Sequence, residues 1–197
     1  MTKDQDQEGN PGEKIVIYPS RNVWKARVTL KNGSIVKDYG SSPLMPKIFG
    51  RLCIRWEEAA LKRLEGFEGI PLLQGRPTPY SLRLQALPGV PLAELKKGDL
   101  TEAFLDRLIS LFERMHAAGV AHGDAHQRNI LMHDQRPYLI DFSTSRVKGR
   151  WPLISDYIFD RFVLLDLQRI YKVRKKFFED RDPPKMFWLY RLVRRFK

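Results

Sequence analysis

The sequence predicts an α+β fold, a small antiparallel β region followed by a reduced helical one, and three observations carry that prediction. Short runs rich in β-formers lie at residues 14–18, 24–30 and 34–39, and the last two are joined by Lys31-Asn32-Gly33, where Asn-Gly is a strong hairpin signal. Residues 100–119 repeat apolar side chains at helical spacing. Two further apolar runs, 129–132 and 138–140, flank a turn at Asp134-Gln135-Arg136 and lie between two polar groups, His122-Gly123-Asp124 and Asp141-Phe142-Ser143.

Each element follows from local chemistry. Residues 1–13 have no aliphatic, aromatic or periodic signal beyond Met1 and read as a disordered tail, so order is expected from Lys14. A helical pattern through Leu52, Trp56, Ala59 or Ala60, and Leu64 ends before Gly66 and carries Glu57 and Glu58. Residues 80–87 alternate enough to form a strand. In the helix over 100–119, Phe104, Leu108, Leu111, Phe112 and Met115 make one core-facing stripe, with Asp99 and Glu102 as cap and capping-box partner and Gly119 as the stop. Residues 158–171 read as a last helix.

Composition sets the outer limits. A chain of 197 residues, 43% of them hydrophobic, can bury a sizeable core and has room for one domain folded as two lobes. Cys53 is the single cysteine, which excludes an intramolecular disulfide. No apolar run approaches the roughly 18 residues needed to span a bilayer, and the polar start is unlike a signal sequence. A cytoplasmic location is the expectation.

The polar residues around the two late strands name a reaction. Asn129 follows Asp124 by five residues and Asp141 follows Asn129 by twelve, so two carboxylates and an amide are held on neighbouring loops. Phosphoryl transfer from Mg-ATP needs this set: a carboxylate to accept the proton of the attacking hydroxyl, and an Asp with an Asn to hold metal on the phosphates. The text H-G-D-A-H-Q-R-N-I-L and D-F-S resembles the protein-kinase-like superfamily, whose catalytic loop runs H-R-D-L-x-x-x-N and whose metal-binding Asp opens D-F-G. Gly123 in place of Arg, with His126 two residues after the Asp, is closer to its compact, atypical branch.

The resemblance implies a two-lobed fold with a small antiparallel N-lobe over 14–87 and a C-lobe with the catalytic loop over 88–170, followed by a basic aromatic tail over 171–197. Within it Asp124 is the base, Asn129 and Asp141 hold Mg2+, and His126 touches the γ-phosphate or the acceptor. Ile35-Val36-Lys37 resembles the V-A-I-K strand, which makes Lys37 the phosphate ligand. Glu57, with Leu61 and Leu64 four and seven residues on, is its preferred helix partner, and Glu58 competes. Leu84-Gln85-Ala86-Leu87-Pro88-Gly89 looks like the hinge, so the Gln85 carbonyl and Leu87 amide would meet adenine, with Leu84 as gatekeeper.

The loop above the phosphates departs from the pattern. Kinases place G-x-G-x-x-G there because only Gly lets backbone amides approach so closely, whereas this chain has Tyr18-Pro19-Ser20-Arg21-Asn22-Val23. Val23-Trp24-Lys25-Ala26-Arg27 still resembles the start of a kinase second strand, so Val23 would contact the nucleotide and Ser20 or Asn22 would supply donors. Only 56 residues follow Asp141, too few for the late helices that grip peptide substrates, and there is no A-P-E. On the last helix Asp166 resembles the buried Asp that props the catalytic loop, with Asp160 as the other candidate.

Charge bears on partners. Residues 171–197 contain ten Lys or Arg against three Asp or Glu, which is +7 of the formal +12, together with seven aromatics. Such a tail suits an anionic membrane surface, where each Lys or Arg is worth on the order of 1 kcal/mol. It equally suits a helix packing its aromatics on the large lobe, and a nucleic-acid partner is a third use of the same charge. With the compact C-lobe and the H-G-D variant, the tail resembles lipopolysaccharide core kinases, which phosphorylate heptose or Kdo sugars at the inner membrane. The implied enzyme is a kinase with ATP and Mg2+ as cofactors, a glycan or lipid-linked sugar as acceptor, and a peripheral site on the inner face of the cytoplasmic membrane. The alternatives are an atypical Ser/Thr kinase of the RIO type and a pseudokinase acting as a binding module. Oligomeric state is left open.

Overall fold

The computed structural model describes residues 16–18, 24–149 and 152–178. The expected N-terminal tail, the loop containing Ser20, Asn22 and Val23, and the tail beyond residue 178 lie outside the described residues. The described chain forms two compact units, one of residues up to Arg51 with Gln74–Ala86, the other of Leu52–Leu73 with the chain from Leu87.

The first unit is built on a five-stranded antiparallel sheet. β1 (Val16–Tyr18), β2 (Arg27–Lys31) and β3 (Ser34–Asp38) follow one another, and Asn32 and Gly33 both take positive φ, 50° and 70°, as a primed two-residue turn requires. That turn sets the register Lys31↔Ser34, which places Lys37 opposite Val28. α1 (Leu44–Arg63) follows, and it begins eight residues before the predicted pattern. Pro46 is accommodated because it falls in the first turn, where its missing N–H has no helical acceptor, and the first closing bond runs from Lys47 N to Pro43 O at 2.9 Å. β4 (Leu73–Gly75) and β5 (Ser81–Gln85) complete the sheet in the order β1-β2-β3-β5-β4, with Lys37 facing Leu82 across β3 and β5.

α1 contributes its second half to the other unit. Its buried face there is Cys53, Ile54, Glu57, Ala60 and Leu61, continued by Leu64 in the turn that follows, while Leu52 is 42% exposed and Trp56 half-buried. The predicted stripe through Leu52 and Trp56 is therefore rotated by about one residue. The sequence reading assigned residues 52–73 to the N-lobe, but this face buries them with the larger unit.

β6 (Val90–Pro91) leads to α2 (Glu102–Ala117), the core helix of the second unit. Phe104, Leu105, Leu108, Leu111, Phe112 and Met115 are buried along one face, each contributing roughly 1.5–3 kcal/mol of gross transfer energy. The N-cap is Thr101, which is extended and accepts from Phe104 N at 3.2 Å. Asp99, expected to cap, instead accepts from Lys96 N at 2.7 Å, and Glu102 enters the helix as its first residue rather than as a box partner. The stop is as predicted: Gly119 has φ +76° and its amide closes on His116 O at 2.9 Å.

β7 (Val120–Ala121) then delivers the chain to the first polar motif. β8 (Ile130–His133) and β9 (Arg136–Leu139) pair around Asp134 and Gln135, again both at positive φ, and β6 joins them in a three-stranded sheet. A 3-10 turn at Phe142–Thr144 precedes β10 (Arg146–Val147), which pairs with β7. α3 (Pro152–Phe177) is longer than the predicted 158–171, and it carries Lys172 to Lys176 as helix rather than tail. Val173 and Phe177 are buried, so this stretch packs its apolar side inward with the lysines outside.

Candidate active site

The loop after β7 is held by a carboxylate from the last helix. Asp166 is fully buried, and its Oδ2 accepts from His122 N at 2.8 Å while Oδ1 accepts from Gly123 N at 2.8 Å. His116 Nε2 lies 2.9 Å from the same Oδ2. Asp166 thus braces the loop as the sequence anticipated, and Asp160 is exposed. Gly123 is required by the same geometry: its φ is +80°, and a Cβ there would overlap the Phe162 ring. The position that carries Arg in many protein kinases therefore has no room for a side chain.

His122 and Asn129 tie the two motifs together. The His122 Nε2 lies 3.0 Å from Ile140 O, which can only accept, so Nε2 carries the proton and Nδ1 receives Asp124 N at 3.3 Å. The Asn129 Nδ2 donates to Asp124 O at 3.0 Å, which directs its Oδ1 away from that carbonyl. Ile140 N donates to Asn129 O at 3.0 Å, so the residue before Asp141 is fastened to the loop after β7 from both sides. Asp141 is held in the left-handed region at φ 66°, and Ser143 Oγ donates to its Oδ1 at 2.8 Å.

Around Asp124 the charges are basic. Its carboxylate is 41% exposed, with Arg169 Nη2 3.6 Å from Oδ1 and His126 Nε2 3.9 Å from Oδ2. Arg169 was not singled out in the sequence, although its position one helical turn after Asp166 puts both on one face of α3. Lys176 Nζ bonds Gln127 Oε1 at 2.9 Å and Leu92 O at 3.2 Å, clamping the far end of the loop.

Glu57 and Glu58 separate cleanly. Glu57 is buried and its Oε1 accepts from Phe142 N at 3.2 Å, while Glu58 bonds Lys62 at 2.8 Å. Glu57 was expected to position Lys37; its bond to the Asp141-Phe142 segment was not anticipated. Nearby, Arg146 lies over Trp56 and Phe162, 4.1 and 4.8 Å from the ring centroids, and donates to Thr144 O and Ser145 O. Burial lowers its guanidinium from the ordinary arginine range, partly offset by Cys53.

The second unit thus brings together Asp124, His126, Asn129, Asp141 and Glu57. Lys37 and Gln85 belong to the first unit, both half-buried on adjacent strands, and Leu87 begins the second. Leu84 is buried on β5. Among the described residues no cluster of three or more His, Cys, Asp or Glu could hold a metal ion. No described helix is long and apolar enough to cross a membrane.

Comparison with known proteins finds similarity over this segment and in the fold. The lipopolysaccharide kinase (Kdo/WaaP) family matches residues 92–154, the stretch that contains the loop and both motifs. A probable bifunctional tRNA threonylcarbamoyladenosine biosynthesis protein of Thermoplasma acidophilum is 32% identical over 147 residues, which is 73% of this chain and 26% of that protein. One of the same description from Methanosarcina acetivorans is 36% identical over 75 residues, 34% of this chain and 13% of the relative. The chain therefore spans about a quarter or less of these relatives. Among solved structures, the Rio2 kinase ADP/Mg2+-phosphoaspartate complex from Chaetomium thermophilum superposes with a TM-score of 0.61 at 18% identity, covering 87% of this chain and 58% of that one.

Proposed function

We propose that this chain, whose fold is protein-kinase-like and of the compact, atypical branch, moves the γ-phosphate of ATP to a hydroxyl group. The observation that carries the reading is the braced loop: a buried carboxylate on two backbone amides holds His122-Gly123-Asp124, and the Asn129 amide is fastened to Asp124 O. A loop so constrained presents the Asp124 carboxylate in a defined place, which is what positioning catalysis needs.

In the proposed step the acceptor oxygen bonds to the γ-phosphorus and the bond to the β–γ bridging oxygen breaks. ADP leaves with that electron pair, and the hydroxyl proton passes to Asp124. Asn129 Oδ1 and the Asp141 carboxylate are hard oxygen donors of the type Mg2+ takes, and would hold it. Magnesium bound there would neutralise charge on the phosphates. Glu57 supports the Asp141 segment, and His126 borders the acceptor. By the sequence resemblance Lys37 would orient the α- and β-phosphates and the Gln85 carbonyl and Leu87 amide would meet adenine; Ser20, Asn22 and Val23, expected over the phosphates, lie outside the described residues.

For the acceptor we favour a sugar of the lipopolysaccharide core, supported by the family match over the catalytic segment. This entails work at the inner face of the cytoplasmic membrane, with the basic aromatic tail as the attachment. The longer sequence match favours a second reading, a kinase-like component of tRNA threonylcarbamoyladenosine biosynthesis, for which the formal +12 charge would meet nucleic acid. Incubating the purified chain with labelled Mg-ATP and, in parallel, lipopolysaccharide core, generic protein, tRNA and no acceptor separates these. Label on the glycan supports the first reading, label or ATP turnover that depends on tRNA supports the second, and label on protein alone supports an atypical Ser/Thr kinase instead. No transfer or turnover, with nucleotide binding unchanged in Asp141→Ala, leaves only a binding module.

A further inference from the structure

A cavity of about 340 Å³ lies beside the catalytic loop, lined by Ala125, His126, Gln127 and Arg128 of the loop and by Arg169 and Lys172 of α3. Ala93 completes the lining, and Arg128, Arg169 and Lys172 are permanently cationic. Lys176, which neighbours them, is already committed to Gln127 and Leu92 O, but neither Arg128 nor Lys172 has an ion-pair or hydrogen-bond partner among the described residues. The Nδ1 of His126 is buried and also has none among them. Arg169 is the exception, since it reaches Asp124 Oδ1 at 3.6 Å.

Three cations line one small concavity, with the partly exposed Asp124 carboxylate against one of them. Such a lining favours a bound anion, which would pair with more than one of them. The volume is at the lower end for small-molecule sites and suits a group about the size of a monosaccharide. Resting on the phosphotransferase reading, we propose that this cavity seats an anionic group of the acceptor, a phosphate or a carboxylate, held by Arg128, Arg169 and Lys172. The adjoining hydroxyl then lies toward Asp124. Arg169 has a double part: it lies 3.6 Å from one oxygen of Asp124, and an acceptor anion draws it away and leaves that oxygen to the incoming hydroxyl. Neutral sugars lack the group that would do so.

The test uses the full chain and inorganic phosphate as the probe, titrated calorimetrically at constant ionic strength against chloride, in the native protein and in Lys172→Gln, Arg169→Gln and Arg128→Gln. Lys172 and Arg128 are exposed, so these two variants keep the fold, and thermal melting verifies it. Phosphate affinity should fall at least fivefold in each variant. Affinity unchanged in all three overturns the proposal, whatever the enzyme does. In the transfer assay sugar phosphates and sugar acids should be used in preference to their neutral counterparts, and Lys172→Gln should raise the acceptor KM about tenfold with the ATP KM unchanged. Equal use of neutral sugars overturns the acceptor role. Residue-dependent phosphate binding without transfer to any acceptor would sink the phosphotransferase reading and leave an anion site.

Discussion

Replacing Asp166 by Asn tests whether the last helix braces the His122-Gly123-Asp124 loop. The substitution keeps the shape of the side chain and removes its charge and one acceptor. In the native protein Oδ2 serves His122 N and His116 Nε2 while Oδ1 serves Gly123 N, all within 2.9 Å. An Asn can turn its oxygen to only one side, so its NH2 must face a backbone N–H on the other. One buried amide is then unsatisfied, at about 1–3 kcal/mol, and the remaining bonds lose their charge assistance, roughly a further 1 kcal/mol. The total is about 2–4 kcal/mol, which for a chain of this size lowers Tm by roughly 4–16 °C. Displacement of the loop should also reduce phosphoryl transfer by about 10- to 100-fold. Scanning calorimetry and labelled-ATP turnover read the two effects, with Asp160→Asn, at an exposed position of the same helix, as the control. Equal melting of both variants would refute the bracing argument.

Three further outcomes follow from the same structure. Gly123→Ala should lose at least about 2 kcal/mol in urea unfolding, from a left-handed φ forced on an L-residue and from overlap with Phe162; wild-type stability would mean that the loop relaxes freely. Thr101→Ala should cost about 1 kcal/mol by the same measurement and Asp99→Ala less, because the helix is capped by Thr101; the reverse order would restore the sequence-based assignment. Glu57→Ala should destabilise by about 1–3 kcal/mol through the orphaned Phe142 N–H, whereas Glu58→Ala should stay within about 1 kcal/mol. Matching values for the two would remove the distinction between them.

Much of the fold was legible because the decisive interactions are short in range. The primed turn at Asn32-Gly33 follows from residues that tolerate positive φ between β-forming runs, whereas at Asp134-Gln135 the polar break between two apolar runs marks the turn but not the positive φ of Gln135. The α2 stripe follows from its helical period, and Gly119 ends that helix because the next amide must close in a left-handed turn. The start of α1 was missed because a proline at residue 46 reads as a breaker unless the helix is known to begin just before it. The cap of α2 was misplaced because Asp99 and Thr101 are both good caps, and only the backbone decides which one meets Phe104 N.

The sequence alone determined which polar residues this chain has to work with: Asp124, Asn129 and Asp141 at set intervals around two strands, Lys37 on the third strand, and a basic balance of charge. Those follow from order along the chain and from periods of two and 3.6 residues. Only the tertiary structure decided how they are held. Asp166 reaches His122 across 44 residues, which the sequence suggested only by resemblance, while Glu57 reaches Phe142 across 85 and Arg169 comes to lie against Asp124, neither of which a local rule can foresee. A carboxylate is satisfied by whichever donor the packed helices bring to it, and that choice is made by the burial of α1, α2 and α3, not by their neighbours in sequence.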